Sequence, residues 1–107
     1  MGSKKEIKPK DLPNLIAKEN PIIIDLRGRG YFLIDHVKDS INIENYKKVE
    51  LIAKENKEKK ILLYCHHGIT AANFVNELVK SNIDNVYYIS GSFTDIIKSG
   101  VEIIYHK

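Results

Sequence analysis

Residues 61–80, ILLYCHHGITAANFVNELVK, decide the fold, because two kinds of hydrophobic pattern meet there at the only cysteine of the chain. Ile61 to Tyr64 form a continuous apolar block, which is typical of a strand buried on both faces of a parallel sheet. From Ala71 onward the apolar residues recur at helical spacing. The residues predicted to share the buried face of this helix are Ala71, Ala72, Val75, Leu78 and Val79. The stretch therefore predicts a strand, a tight loop and a helix.

The loop between this strand and helix contains the groups from which an anion site can be built. Gly68 permits a sharp reversal, and Thr70 is predicted to cap the helix through its hydroxyl group. The remaining N–H groups of the loop are expected to point inward, toward the Cys65 sulfur. Unpaired N–H groups at a helix start stabilise a thiolate, and protonated His66 and His67 would add to that effect. Cys65 is therefore the candidate nucleophile, with a small buried hydrophobic residue as the alternative.

The sequence CHHGITA, placed between ILLY and an amphipathic helix, resembles the active-site loop of a single-domain rhodanese. Rhodaneses are sulfurtransferases that carry sulfane sulfur as a cysteine persulfide. The resemblance extends from about Ile7 to the end of the chain and implies the rhodanese fold, with Cys65 as the catalytic residue. The substrate-binding residues that it implies are His66, His67, Gly68, Ile69, Thr70, Ala71 and Arg27.

Three further stretches resemble the same family with substitutions. Residues 25–27, DLR, resemble the family's Asp-x-Arg, and a pair that ties loops together is the alternative role for this arginine. Residues 36–43, HVKDSINI, resemble the family's HIPGAINI with a different turn, and we interpret His36 as a structural histidine bonded to a neighbouring backbone. Residues 90–97, SGSFTDII, resemble the closing element GGFxxW without its second glycine and its tryptophan.

The resemblance implies a reaction in two steps. The Cys65 thiolate takes the outer sulfur of a small-molecule donor, such as thiosulfate or a persulfide, and an acceptor then removes it. The acceptor is expected to be cyanide, a small thiol or a protein thiol. No cofactor or metal is needed, because the covalent intermediate divides the transfer into two displacements. Only His66 and His67 can carry positive charge between Cys65 and Ala71, which predicts that thiosulfate is a mediocre donor whose apparent KM rises with pH.

Two other functions are compatible with a loop of this architecture. Cysteine phosphatases and arsenate reductases use C-x5-R, which would place an arginine at position 71, where this chain has Ala71. Without that guanidinium a phosphoryl group has no bidentate partner, so this function is not expected. A non-catalytic binding or regulatory module, in which Cys65 is idle, stays open as the alternative to the enzyme.

The rest of the chain alternates between strand-like and helix-like patterns. Further strands are predicted around Ile7 and at residues 22–24, 40–43 and 86–89. Further helices are predicted at residues 12–20 (capped by Asp11) and 45–56, with a short segment packing on the sheet at 31–34 and an extended tail at 100–105 covering a sheet edge or a helix. The predicted fold class is therefore α/β, a single domain over residues 1–107 with a mainly parallel sheet of about five strands and helices on both faces.

Length and composition bound the remaining classes. A chain of 107 residues with 43% hydrophobic residues has room for one core. The net charge of +3 is spread over lysines interleaved with acidic residues, so nucleic-acid binding is not expected. A single cysteine excludes an internal disulfide and suits a reducing, cytoplasmic compartment, and no apolar run is long enough to predict a membrane span. We expect a monomer, with residues 1–4 disordered or derived from the expression vector.

Overall fold

The computed structural model describes residues 4–106. Its strands are β1 (Glu6–Ile7), β2 (Ile22–Asp25), β3 (Asp35–Val37), β4 (Ile41–Asn42), β5 (Ile61–Tyr64), β6 (Val86–Ile89) and β7 (Ile103–Tyr105). Its helices are α1 (Leu12–Glu19), α2 (Arg29–Ile34), α3 (Tyr46–Glu55), α4 (Ile69–Lys80) and α5 (Phe93–Lys98). None of the helices in this described part is long and apolar enough to cross a bilayer. The expectation for residues 1–3 lies outside the described residues, and Lys4 lies in a turn.

β5 lies at the centre of a five-stranded sheet whose order is β1-β6-β5-β2-β4. Every neighbouring pair in this sheet is parallel, so the predicted α/β fold is confirmed. All four residues of β5 are buried, as the continuous apolar block predicted. The register pairs Asp25 at the end of β2 with Tyr64 at the end of β5. The residues that follow these two strands therefore meet at the same edge of the sheet.

The side chains of β5 alternate between two hydrophobic cores on opposite faces of the sheet. Ile61 and Leu63 belong to the core that α3 and α4 cover, and Leu62 and Tyr64 belong to the core that α1 and α5 cover. The helix residues buried in these cores include Val49, Ala53, Val75 and Leu78 on the first face, and Leu12 and Ile96 on the second. Each large apolar side chain buried in this way stabilises the fold by roughly 1.5–3 kcal/mol. The central strand, and the loop that follows it, are therefore held from both sides.

α4 begins two residues earlier than its start was predicted. Gly68 is the N-cap with a φ of 86°, a left-handed conformation that turns the chain from the loop directly into the helix at Ile69. Thr70 therefore lies inside the first turn with its side chain exposed. The prediction that Thr70 caps the helix is wrong, because the glycine performs the reversal without a capping side chain.

The buried face of α4 differs from the prediction at one position. Ala71, Val75 and Leu78 are buried as expected, and Ala72 is partly buried. Val79 is exposed instead, because successive helical residues are rotated by about 100° and Leu78 occupies the inward position.

The two ends of the chain also differ from expectation. Asp11 occupies the N-cap of α1, but its side chain makes no capping hydrogen bond, since a 3-10 turn (Pro9–Asp11) already places its backbone in the helical region. The tail forms β7, which pairs antiparallel with β3 in a separate two-stranded sheet. The tail was expected to cover an edge of the main sheet or a helix. Its backbone forms hydrogen bonds with β3 instead. This pairing attaches the tail to the segment that follows α2.

Candidate active site

Cys65 is the residue directly after β5, so the central strand delivers its side chain to the carboxyl edge of the sheet. The side chain is buried, with 6% exposed. Its Sγ atom accepts a hydrogen bond from the N–H of Ala71 at 3.4 Å. Within residues 4–106, the N–H groups of residues 67–70 donate to no protein acceptor, which leaves them available to an anion. The Ala71 N–H therefore points toward the sulfur, whereas the same orientation for the N–H groups of residues 67–70 stays a prediction.

The loop that carries Cys65 packs against the segment that leads into α5. A Cβ atom on Gly68 would lie 3.2 Å from the amide nitrogen of Gly91, which is closer than a side chain normally tolerates. The N–H of Phe93 donates to the carbonyl oxygen of His66 at 2.9 Å. Two contacts between backbones thus fix the shape of residues 65–71, here called the Cys65 loop, and one of them would be unusually tight with any side chain at position 68.

Arg27 follows β2 at the same sheet edge and is almost fully buried, with 4% exposed. Its Nη2 and Nε atoms donate to the Asp25 carboxylate at 2.9 and 3.1 Å. Nη2 also donates to the Asp35 carbonyl oxygen, and Nη1 lies 3.4 Å from the Asp35 carboxylate. Burial acts to lower the pKa of Arg27, but the hydrogen bond and charge of Asp25 outweigh it and raise the pKa above its ordinary value. The arginine therefore stays charged while tying β2 to β3.

The Arg27 guanidinium also lies over an aromatic ring. Its central carbon is 3.9 Å from the centroid of Phe93, the first residue of α5. A guanidinium at this distance from a ring face is attracted to the π electrons. Arg27 therefore connects three elements around the site, which is the loop-tying role that the sequence analysis gave as the alternative. Its contact with substrate stays a prediction.

Tyr64, the last residue of β5, supports the site from the core. Its hydroxyl oxygen accepts the N–H of Val37 at 3.1 Å and shares a hydrogen bond with the Ser40 hydroxyl, also at 3.1 Å. Burial, and then the charge of Asp25, raise the pKa of Tyr64, so its phenol is held protonated. These contacts attach the turn between β3 and β4 to the strand that carries Cys65.

Two adjoining cavities open around the Cys65 loop and share Arg27, His66 and His67. The first has a volume of about 380 Å³ and is also lined by Leu26, Gly28, Cys65, Ile69 and Thr70. The second has a volume of about 320 Å³ and is also lined by Tyr31, Ile34, Asp35, Ser92, Phe93 and Thr94. A larger cavity of about 470 Å³ lies away from them, near Asn85 just before β6, and is lined by no cysteine or histidine.

Most of the predicted site residues come together in the first cavity. Cys65, His66, His67, Ile69, Thr70 and Arg27 line it. The other two predicted residues do not present a side chain to the cavity. Gly68 packs against Gly91 and shapes the loop, whereas Ala71 is fully buried and contributes its N–H group to the Cys65 sulfur. His36 lies elsewhere: its Nδ1 is hydrogen-bonded to the Phe32 carbonyl at 2.9 Å, in agreement with its interpretation as a structural histidine.

Six residues that line the second cavity were not among the predicted site residues, and three of these, Tyr31, Asp35 and Phe93, contact one that was. Tyr31 makes an edge contact with the His66 ring, the centroids being 4.4 Å apart, and Asp35 and Phe93 flank Arg27. The family-like closing element could have indicated Phe93. Nothing in the local sequence indicates Asp35, because its position depends on the pairing of β3 with β7. Among residues 4–106, no group of three or more His, Cys, Asp and Glu residues is arranged to hold a metal ion.

Comparisons with known proteins agree with this geometry. A family model described as a rhodanese-like domain matches residues 8–99. The thiosulfate sulfurtransferase GlpE of Coxiella burnetii is 29% identical over 89 residues, which cover 83% of each chain. Protein hp1203 from Helicobacter pylori has a TM-score of 0.83 at 22% identity, over 99% of this chain and 94% of that one. A rhodanese-related protein from Thermoplasma volcanium has a TM-score of 0.75 at 23% identity, over 94% and 97%. At these identities the two structures show a shared fold.

Proposed function

The chain belongs to the rhodanese-like domain family, and from that premise we propose that it is a sulfurtransferase that carries sulfane sulfur on Cys65. The observation that carries the proposal is the hydrogen bond from the Ala71 N–H to the Cys65 Sγ, in a loop where the N–H groups of residues 67–70 have no protein acceptor among the described residues 4–106. A relative that is named thiosulfate sulfurtransferase supports the same reaction class. Cys65 is also the only cysteine of the chain, so no internal thiol competes with it.

In the first step, the Cys65 thiolate attacks the outer sulfur of the donor. A new bond forms between Sγ and that sulfur, and the bond between the two donor sulfurs breaks. With thiosulfate the leaving group is sulfite, which takes the bonding electron pair with it. The terminal sulfur of the resulting persulfide carries the negative charge, and in this proposal the loop N–H groups stabilise it.

In the second step, a nucleophilic acceptor attacks the terminal sulfur of the Cys65 persulfide. Cyanide leaves as thiocyanate, whereas a thiolate leaves as a new persulfide, and in both cases the Cys65 thiolate is restored. Dividing the transfer into two displacements removes the need for a metal or organic cofactor. A thiol that must return to the thiolate in every cycle suits a reducing compartment such as the cytoplasm.

Alanine at position 71 argues against phosphatase chemistry in the same loop. A C-x5-R loop uses an arginine there to bind the phosphoryl group, but the Ala71 side chain is fully buried and directed into the core beneath α4. No guanidinium of the loop is therefore available for a bidentate contact.

The experiment that tests the proposal is an intact-mass measurement after incubation with thiosulfate, and separately with an alkyl persulfide. We expect the protein to gain one sulfur atom with at least one of these donors, and to lose it when cyanide is added. Cys65→Ser is expected to gain none. If neither donor adds sulfur to the parent protein, the enzyme proposal fails and the non-catalytic binding module becomes the better interpretation.

A further inference from the structure

The side chains around Cys65 provide little positive charge to a doubly charged donor. Arg27 is the only arginine or lysine among the described residues that line the two cavities. Its charge is shared with the buried Asp25 carboxylate at 2.9 Å and the Asp35 carboxylate at 3.4 Å. One guanidinium between two carboxylates leaves no surplus positive charge. A sulfonate group that entered the cavity would therefore find no uncompensated cation except a protonated histidine.

In the proposed function, the backbone N–H groups of the loop stabilise the reacting sulfur atoms, so they do not replace that cation for a second anionic group of the donor. The Ala71 N–H is already directed to the Cys65 sulfur, at 3.4 Å. During the first step the same loop must stabilise the thiolate, and then the terminal sulfur of the persulfide. A donor's second anionic group has to lie farther out, beside the residues at the mouth of the cavities. Two anions close together repel each other unless a positive charge lies between them.

Three of the six exposed residues that line the two cavities have large apolar side chains, and the other three are His67, Thr70 and Thr94. Tyr31 and Ile34 line the second cavity and are 53% and 60% exposed, and Ile69 lines the first and is 69% exposed. All three come from the elements that border Cys65, α2 and α4. Large apolar side chains exposed beside a reactive group are characteristic of a binding surface for an apolar ligand.

The charge of Arg27 is neutralised by two carboxylates, and the exposed side chains of Tyr31, Ile34 and Ile69 form an apolar rim beside the cavities. From these two features we propose that the donor is an organic hydropersulfide with an apolar substituent, and that thiosulfate is a poor substitute. This inference rests on the proposed function. The Cys65 thiolate attacks the terminal sulfur of the R–S–SH donor, the bond from Cys65 Sγ to that sulfur forms, and the S–S bond of the donor breaks. The proton of the donor moves to the departing thiolate. The products are the Cys65 persulfide anion and the thiol R–SH, so atoms and charge balance.

The test compares the second-order rate constants for sulfur loading of Cys65 by benzyl hydropersulfide and by thiosulfate, followed by quenched-flow mass spectrometry. We expect the hydropersulfide to load at least about tenfold faster, because like charges next to each other disfavour the dianion. A third donor, the hydropersulfide of a cysteine in a short apolar peptide, tests whether the donor sulfur is carried by a protein or by a small molecule. Loading faster than by the benzyl compound indicates a protein carrier, and slower loading indicates a small one.

A charged variant tests whether the rim sets this preference. Ile69→Lys adds a cation and removes an apolar side chain at the mouth, so we expect the hydropersulfide-to-thiosulfate ratio to fall by about tenfold. Leu51→Lys makes the same change at an exposed position on α3, outside both cavities, and is expected to keep the parent ratio.

Each outcome decides between the two proposals. Thiosulfate loading as fast as the hydropersulfide, or a ratio that Ile69→Lys leaves at the Leu51→Lys value, overturns the donor inference while the sulfurtransferase stands. Loading by none of the three donors overturns both.

Discussion

Gly68 and Gly91 lie with their backbones in contact, and a Cβ atom on Gly68 would stand 3.2 Å from the Gly91 nitrogen and 3.3 Å from its carbonyl oxygen. Both residues have positive φ angles, 86° and 83°. A side chain at position 68 would therefore require the segment before α5 to shift by a few tenths of an ångström. Gly68 is needed for two separate reasons, its conformation and its neighbour, and the two can be tested separately.

We expect Gly68→Ala to reduce sulfur loading by at least about tenfold and to destabilise the protein by more than the roughly 1–2 kcal/mol that a left-handed alanine costs alone. The added methyl group would push the Cys65 loop away from Gly91 and displace the Ala71 N–H that donates to Cys65. Loading rates and urea denaturation of the variant measure both effects.

Two other glycines provide the controls for this substitution. Gly100 also has a positive φ, 93°, but nothing within 4 Å of an added Cβ, so Gly100→Ala should show the conformational cost alone. Gly30 lies in α2 with an ordinary φ and open space, so Gly30→Ala is expected to be neutral or slightly stabilising. If Gly68→Ala behaved like Gly100→Ala in both stability and loading, the contact with Gly91 would have no functional importance.

Replacing the proposed nucleophile should remove turnover and leave the fold intact. For Cys65→Ser we expect kcat to fall by at least about 10³-fold, since loss of a covalent nucleophile removes the reaction path. Serine is close in size to cysteine and can still accept the Ala71 N–H, so the denaturation midpoint should change little. Turnover within about tenfold of the parent, measured with the same donor and acceptor, would show that the sulfur is not carried on Cys65.

Arg27→Met tests the structural importance of the buried ion pair. The side chains of Arg27 and Asp25 are 3% and 0% exposed, so methionine leaves a buried carboxylate without its partner. We expect a loss of about 3–5 kcal/mol in the free energy of unfolding. The double variant Asp25→Asn/Arg27→Met removes both charges and is expected to lose less than the single one, as chemical denaturation would show.

An exposed pair offers the comparison for Arg27. Lys80 and Glu77 lie 3.2 Å apart on the surface of α4. Lys80→Met breaks a similar contact in water, where such pairs contribute about 0–1 kcal/mol. Equal costs for Lys80→Met and Arg27→Met would mean that burial of the Arg27 pair does not matter to stability.

The sequence was sufficient to predict the elements whose pattern is local. The apolar block at Ile61–Tyr64 forms the central strand, because a continuous apolar run indicates a strand that is buried on both faces. The residues from Ala71 lie in α4, because apolar residues at helical spacing indicate a helix that is buried on one face. The helix predicted at residues 45–56 became α3, although its cap was not predicted: the Asn45 side chain accepts the Lys48 N–H at 3.1 Å. The cysteine and the loop around it were also identified from a local pattern.

What the sequence did not predict depends on contacts between distant segments. The predicted start of α4 is wrong because a threonine hydroxyl is a common helix cap, whereas the left-handed backbone of Gly68 starts this helix without a capping side chain. The partner of β7, and with it the position of Asp35 beside Arg27, follows from a pairing that no local pattern specifies. The donor preference is proposed to depend on the neutralisation of Arg27 by Asp25 and Asp35. The position of Asp35 beside Arg27 is known only from the folded structure.

The start of α5 should make the protein sensitive to acid. The Asp95 carboxylate accepts the Ser92 N–H at 2.9 Å and the Ser92 hydroxyl at 3.0 Å, and these two hydrogen bonds lower the pKa of Asp95. A carboxylate with a lowered pKa stabilises the folded state above its unfolded pKa, and that stability is lost as the pH falls through the folded value. We expect the denaturation midpoint to fall below about pH 4 in the parent and to fall less in Asp95→Asn.

Asp11→Asn is the matched control for that pH profile. Asp11 also precedes a helix, but its side chain makes no capping hydrogen bond, so this substitution should leave the acid profile of the parent unchanged. If the denaturation midpoint depended on pH in the same way in Asp95→Asn and Asp11→Asn, the hydrogen bonds between Ser92 and Asp95 would not be the source of the acid sensitivity.

Tyr64→Phe should destabilise the protein at neutral pH, with a penalty that shrinks in alkali. Removing the hydroxyl leaves the Val37 N–H and the Ser40 hydroxyl without their partner in the core, which costs about 1–3 kcal/mol. Burial, and then Asp25, raise the pKa of Tyr64, so the folded protein retains a proton that the unfolded chain releases above about pH 10. The stability that the hydroxyl contributes is therefore complete below pH 10 and declines as the pH rises further, because only the unfolded state gains from ionisation.

Urea denaturation between about pH 8 and pH 11 measures the gap in the free energy of unfolding between the parent and Tyr64→Phe, and this gap should narrow as the pH rises. Tyr105→Phe, at an exposed position, is the control and should show no such gap. A gap that stayed constant over this range would mean that Tyr64 ionises as readily in the folded protein as in the unfolded chain.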